Sequence, residues 1–377
     1  MRRCTLLVAF LAVFASVLPL SAEAADGTGA DRYIVVLKDA VDSNAVATLH
    51  GARYGVGVDA VWAHALHGYA AVIPNDRVAQ VRGDQNVAYV VPDGGVSVDA
   101  QTLPWGIDKI DADLSSTLAG NGSGEIANVD AYVIDTGIDT AHPDLNVVGP
   151  WVQYVGGPKR DCNGHGTHVA GTIGARDDAN GVVGVAPGIK LHAVKVLNCS
   201  GSGTWSGVIS GIDYVAGTTT RPAVANMSLG GAQNDAVDNA VRGAVDRGVF
   251  FAVAAGNDGA LACGHSPAAA GPKSGVATVA ATDSNDNEAS WSNYGSCVDL
   301  WAPGVNVYST YKGSSYATLS GTSMATPHVA GGAALYLSNN TNATPDTVEK
   351  ALVNAASRTT TTSKDGTQII REYVRTF

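Results

Sequence analysis

From residue 31 to residue 92, short apolar stretches at 33–38, 58–66, 69–73 and 87–91 read as strands, and residues 43–54 and 76–83 between them carry helical spacing. The order βαββαβ predicts a small α+β sandwich of ferredoxin-like type. A linker follows at 93–102, where Gly94-Gly95 and scattered polar residues interrupt the pattern. From residue 103 the rhythm changes. Continuous apolar or β-branched runs at 131–135, 189–196, 223–229, 249–253 and 276–280 suit strands covered on both faces, and helical patterns at 165–175, 204–215 and 236–246 lie between them. The region from 103 to 377 is therefore expected to be α/β, a mostly parallel central sheet with helices on both faces. Reactive groups in such folds sit at the carboxyl ends of strands and the amino ends of helices.

Composition agrees with a compact, turn-rich globular chain: 45% of the 377 residues are apolar, 15% are charged and 45 are glycine. The net charge is -11 and both halves are acidic. With no cluster of Lys or Arg, binding to nucleic acid or to an anionic membrane through counterion release is not expected. Residues 1–24 read as a signal peptide: Arg2-Arg3, an apolar run from Leu6 to Leu20 too short to span a bilayer, then Ala22-Glu23-Ala24. The Arg2-Arg3 pair also fits a twin-arginine signal, so the export route stays open. Export makes the remaining cysteines, Cys162, Cys199, Cys263 and Cys297, candidates for disulfides, with three possible connectivities.

Three segments each place one reactive side chain at a strand or helix end. Asp135 closes the apolar run in residues 132–138, where a carboxylate is costly unless hydrogen-bonded. His165 opens a small-residue helix in 163–172. Ser323 starts another in 320–332, whose early Pro327 is tolerable where backbone donors lack helical partners. Singly, each is an ordinary cap or packed residue. Together, in glycine-rich junctions, they suit a serine nucleophile, a histidine base and an aspartate that orients it. The Gly-x-Ser-x-Gly elbow of esterases is absent, since Met324-Ala325 follows Ser323.

These segments resemble the subtilisin family, more closely its proteinase K and aqualysin-like branch. Residues 197–204, 226–231, 252–259 and 291–304 share the resemblance, which extends over nearly all of 103–377. It implies a serine endopeptidase acting on protein and peptide substrates, monomeric, with no cofactor for catalysis. Asn257 matches the family's oxyanion donor, acting with the Ser323 N–H. His168 lies one helical turn from His165, but Gly166 stands where a zinc peptidase would carry Glu, so His168 and His328 read as structural.

Gly201, Ser202 and Gly203, and Ser228, Leu229 and Gly230, resemble the two segments that hold a substrate as an added strand. Ala254, Ala255 and Gly256 with 228–230 would wall the P1 pocket. Such small, uncharged walls suit apolar or aromatic P1 side chains and offer no counter-charge to Lys or Arg. The cysteine positions imply the pairs Cys162–Cys199 and Cys263–Cys297. Asp108 and Asp111 match acidic positions of one structural calcium site and Asp299 a carboxylate of another, although the loop at 266–276 beside Asp299 is longer than in relatives. Residues 31–92 resemble the family's inhibitory prodomain, with maturation expected between Ser97 and Gln101.

Overall fold

The computed structural model describes residues 30–93, 101–218 and 222–377, in two compact units divided after residue 97. The expected signal peptide and most of the linker, including its expected cleavage site, lie outside the described residues.

The first unit runs β1 (Ala30–Leu37), α1 (Ser43–Tyr54), β2 (Gly57–Trp62), β3 (Gly68–Pro74), α2 (Val78–Arg82) and β4 (Val87–Pro92). Its strands form an antiparallel sheet in the order β2-β3-β1-β4, the ferredoxin-like arrangement. α1 starts where the Asp42 carboxylate accepts the amides of Asn44 and Ala45, and it stops at Gly55 in the left-handed region, φ 69°. The strand expected to reach residue 66 ends at Trp62, because residues 63–67 make the connection to β3.

In the second unit a short helix α3 (Trp105–Lys109) precedes β5 (Asp130–Asp135), β6 (Val152–Gln153), α4 (His165–Gly174), β7 (Lys190–Lys195), α5 (Trp205–Thr218) and β8 (Ala223–Met227). Then come β9 (Gly231–Ala232), α6 (Asp235–Asp246), β10 (Phe250–Ala254), β11 (His265–Ser266), β12 (Val276–Thr282) and β13 (Leu300–Pro303). The chain ends with β14 (Val307–Tyr311), β15 (Ser315–Leu319), α7 (Thr322–Asn339), α8 (Pro345–Ala355), β16 (Ser357–Thr362) and β17 (Gln368–Arg371). Nine strands form one sheet in the order β16-β17-β13-β12-β10-β8-β5-β7-β6, with only the β16–β17 pair antiparallel.

Strand residues alternate between two cores. Ala131 and Val133 of β5 and Phe250 and Ala252 of β10 pack with α4 and α7, whereas Tyr132, Ile134, Phe251 and Val253 pack with α5 and α6. This double burial explains the unbroken apolar runs. The pairing β14–β15 and the return of β16–β17 to the sheet edge add strands that carry no comparable run in the sequence.

Both disulfides form, Cys162 to Cys199 and Cys263 to Cys297, at sequence separations of 37 and 34. Closing loops of that length restricts the unfolded chain and contributes roughly 3 to 4 kcal/mol each.

Candidate active site

β5 delivers Asp135 at its carboxyl end, fully buried. Oδ1 of its carboxylate accepts the Thr136 amide at 2.6 Å and lies 2.8 Å from Nδ1 of His165, with Oδ2 at 3.0 Å. His165 is the first residue of α4, and the fit of that helix against the strand end is tight: a Cβ on Gly166 would strike the Gly137 carbonyl. Burial works against a charged His165, but the charge and hydrogen bond of Asp135, aided by Asp161, outweigh it, so the imidazole pKa is raised.

Behind this pair lies a cradle that the sequence reading missed. Asp161 accepts the Thr136 hydroxyl at 3.0 Å, the amides of Asn163 and Gly164 at 3.0 and 2.8 Å, and both the amide and hydroxyl of Thr167 at 3.0 and 2.5 Å. Thr136 Oγ1 in turn accepts the Gly166 amide at 2.9 Å. Lys195, fully buried at the end of β7 and paired in register with Asp135, donates to the Thr136 carbonyl at 2.6 Å. Burial lowers its pKa against the opposing pull of Asp161 and Asp135. A lysine inside the apolar run at 189–196 was the available signal, because an ammonium there needs partners.

Ser323 is the second residue of α7. Its hydroxyl donates to the Ser228 carbonyl at 3.0 Å, and the Ser228 hydroxyl donates to the Ser323 carbonyl at 2.8 Å, which ties the helix start to the end of β8. Among the described residues the Ser323 hydroxyl thus faces Ser228 and makes no hydrogen bond to His165. Asn257 Oδ1 accepts the amide of Thr322 at 2.8 Å and its hydroxyl at 3.0 Å. With its oxygen so engaged, the amide nitrogen is the end left to donate; it lies beside Gly321, 3.7 Å from where a Cβ there would sit. The Ser323 amide lies in the first turn of α7, where no helical acceptor exists.

Two cavities meet at these groups. A cleft of about 720 Å³ is lined by His165, by residues 201–203 and by 228–232, with Trp205 as its large aromatic wall. A neighbouring cavity of about 270 Å³ is lined by Leu229–Gly231, Ala254–Asp258, His265, Ser266 and Ser323. They share the wall at 229–231. All nine residues expected to contact substrate line one or both, Ser228 on the cleft side.

Residues 131–372 match the subtilase family, and residues 32–99 match the peptidase inhibitor I9 family. The chain belongs to the subtilase family. It is 42% identical to an alkaline serine exoprotease A of Vibrio alginolyticus, over 87% of this chain and 64% of that protein's length. It is 46% identical to an extracellular serine proteinase of Thermus sp., over 81% and 73%, and 39% identical to proteinase R of Parengyodontium album, over 81% and 79%. The crystal structure of a cold-adapted subtilisin-like serine proteinase superposes with a TM-score of 0.65 at 46% identity, covering 72% of this chain and 97% of that one. This subtilase thus has the mostly parallel α/β fold of serine endopeptidases, preceded by an I9 unit.

One expectation for the subtilase site needs correction. The cavity wall that includes Ala254, Ala255 and Gly256 is not uncharged, since Asp258 and His265 line it beside them. Asp299 is partly buried and accepts the Thr278 amide at 2.8 Å, and desolvation, with Glu349 nearby, pushes its pKa up to about 8. Asp108 and Asp111 stand differently. Burial and the charges of Asp108 and Asp111 raise the pKa of Asp113, whose Oδ1 is buried with no hydrogen-bond donor. Among the described residues no three His, Cys, Asp or Glu side chains converge on a metal, so a cation at this acidic corner would need carbonyls and water as further ligands.

His168 and His328 are buried with pKa values lowered to about 4 by desolvation. His168 Nε2 lies 3.1 Å from the carbonyls of Val307 and Ala317, and His328 Nδ1 lies 2.9 Å from that of Met324, as neutral donors would.

Proposed function

We propose that this subtilase is made as a secreted, self-processing precursor whose monomeric catalytic unit, from about residue 101, hydrolyses peptide bonds with broad specificity favouring apolar or aromatic P1. The observation that carries the reading is the Asp135–His165 hydrogen bond opening onto a wall shared with Ser323 and Asn257. Once its hydroxyl leaves Ser228, Ser323 Oγ attacks the scissile carbonyl and His165 takes the proton; the collapse returns it to the leaving amine, and a water repeats the cycle on the acyl-enzyme. Asp135 keeps Nδ1 protonated and stabilises the imidazolium. Asn257 Nδ2 and the Ser323 amide receive the oxyanion. The substrate backbone pairs with 201–203 and 228–230 as an added strand. The I9 unit, residues 31–92, serves as intramolecular inhibitor until the chain is cut between Ser97 and Gln101.

A fluorophosphonate should label the mature protein at one residue, Ser323, and labelling should vanish in Ser323→Ala; casein should be digested while a long-chain lipid ester is spared. Absence of labelling in the folded wild type would leave a binding module in place of an enzyme.

Calcium at Asp108, Asp111 and Asp113 would stabilise the folded state by mass action. EDTA should lower the thermal midpoint, added calcium should restore it, and Asp108→Asn should abolish both effects. An unchanged midpoint in EDTA removes the site. Asp299 provides a contrast with opposite sign. Its folded pKa stands above the ordinary 3.8, so Asp299 destabilises the fold increasingly as pH rises from 3.8 to about 8, and the destabilisation stays at its maximum above that. Asp299→Asn keeps an acceptor for Thr278 and should raise the midpoint at alkaline pH by roughly 2 to 8 °C, with no effect in strong acid. A lowered midpoint that depends on calcium would instead make Asp299 a ligand.

A further inference from the structure

The β16–β17 hairpin turns at residues 363–367, where the Ser363 amide donates to the Thr367 carbonyl at 2.8 Å and Gly366 takes φ 84°. That turn sets Lys364 against the segment 288–294. Its amide donates to Glu288 Oε2 at 2.8 Å, and its ammonium lies 3.0 Å from Oε1 of the same carboxylate. The ammonium also donates to the carbonyls of Ser290 and Ser292 at 2.7 and 3.1 Å and stands 5.3 Å from the centre of the Tyr294 ring. The Glu288 side chain is only 5% exposed, so solvent screens this pairing little.

The clamped segment supports the loop 255–260, which carries Asn257. The Asn293 amide donates to the Gly256 carbonyl at 2.9 Å, the Gly259 amide to the Trp291 carbonyl at 2.8 Å and the Tyr294 amide to the Ala260 carbonyl at 3.0 Å. The fully buried Asn293 side chain adds three more bonds. Its Oδ1 accepts the amides of Asp258 and Ala260 at 3.0 and 2.9 Å, and its Nδ2 donates to the Ala255 carbonyl at 2.9 Å. A Cβ on Gly256 would sit 2.3 Å from that nitrogen, so the two segments leave no slack between them. A shift of 288–294 is therefore passed on to the residues on both sides of Asn257.

We propose that Lys364 is a positioning residue for Asn257: its ammonium clamps 288–294, and through that segment it fixes where the Asn257 amide meets the oxyanion. The physical reason is local repulsion. Without the ammonium, the Glu288 carboxylate and the carbonyls of Ser290 and Ser292 converge on one spot with no donor between them, and the segment opens. A preorganised donor stabilises the oxyanion only at hydrogen-bonding distance, so a displacement of a fraction of an ångström weakens it. Lys364 lines neither cavity of the site, and its effect on the reaction passes through the loop alone. The inference rests on the peptidase reading and adds to it a residue from a hairpin outside the cleft.

The test is a double-mutant cycle on the mature protein, with a peptide anilide carrying Phe at P1 and wild type, Lys364→Met, Asn257→Ala and the double variant. Methionine keeps an unbranched stem and removes the charge. Lys364→Met should lower kcat by roughly three- to tenfold, with KM within about twofold of wild type. In the Asn257→Ala background the same substitution should lower kcat by less than about twofold, because no donor remains to be positioned. An unchanged kcat in Lys364→Met, a loss confined to KM, or an equal loss of kcat in both backgrounds overturns the proposal. The last is what a brace that merely stabilised the fold would give. If Lys364→Met does not fold, Lys364→Gln takes its place in the cycle under the same criteria. Folded wild type that cleaves no peptide overturns the peptidase reading, and the role of Lys364 with it.

Discussion

Purified and refolded in the absence of other proteases, the Ser323→Ala precursor should remain one polypeptide, while wild type separates into two pieces near residues 97–101. The substitution removes only a hydroxyl. Its hydrogen bond to the Ser228 carbonyl is lost, but the Ser228 hydroxyl still holds the backbone carbonyl of residue 323, and the α7 start keeps its Thr322–Asn257 contacts. The fold should therefore survive. Without the nucleophile, the remaining oxyanion donors and binding contacts leave only about 10³- to 10⁴-fold acceleration over water, negligible for a peptide bond on a laboratory timescale. Electrophoresis and intact mass of the refolded chains decide the matter. Maturation of Ser323→Ala at the same junction and at the wild-type rate would show that Ser323 is not the nucleophile.

Asn257→Ala should lower kcat by roughly 10²- to 10³-fold with KM little changed, a range carried over from loss of such a donor in subtilisin itself. The split follows from when the charge appears: in the proposed role the amide would meet an oxyanion only in the transition state, so ground-state binding would scarcely notice its loss. Alanine also deprives the Thr322 amide and hydroxyl of their acceptor. Asn257→Asp separates the two roles, because it preserves an oxygen for Thr322 while placing a negative charge where the donor stood. Its kcat should fall at least as far as that of the alanine variant, with the thermal midpoint closer to wild type. A loss of under threefold in both variants would remove Asn257 from the chemistry.

Much of this protein is legible before folding, and particular residues show why. Buried parallel strands need apolar residues on both faces, so β5 and β10 announce themselves as unbroken runs. The junction residues Asp135, His165 and Ser323 stand out only together, because each alone is an ordinary cap or packed residue whereas the three residue types in glycine-rich junctions suit one nucleophile, one base and one orienter. The pairing of β14 with β15 and the edge strand β16 escaped notice, since short Ser- and Thr-containing strands carry no continuous apolar signal, and β17 is only four residues long.

What the sequence by itself determined was local: element type from hydrophobic period, candidate chemistry from residue type at an element end, and four cysteines open to three pairings. Tertiary structure decided everything that depends on residues distant in the chain meeting. It closed the two disulfides, and it set Asp161 and Lys195 behind Asp135. It also desolvated Asp299 so that its carboxyl resists ionisation, and brought His265 onto Asp258 in a wall expected to be uncharged. The physical reason is that period and propensity act over one or two turns of chain, whereas desolvation and Coulomb interaction depend on distance in space, which only the folded backbone assigns.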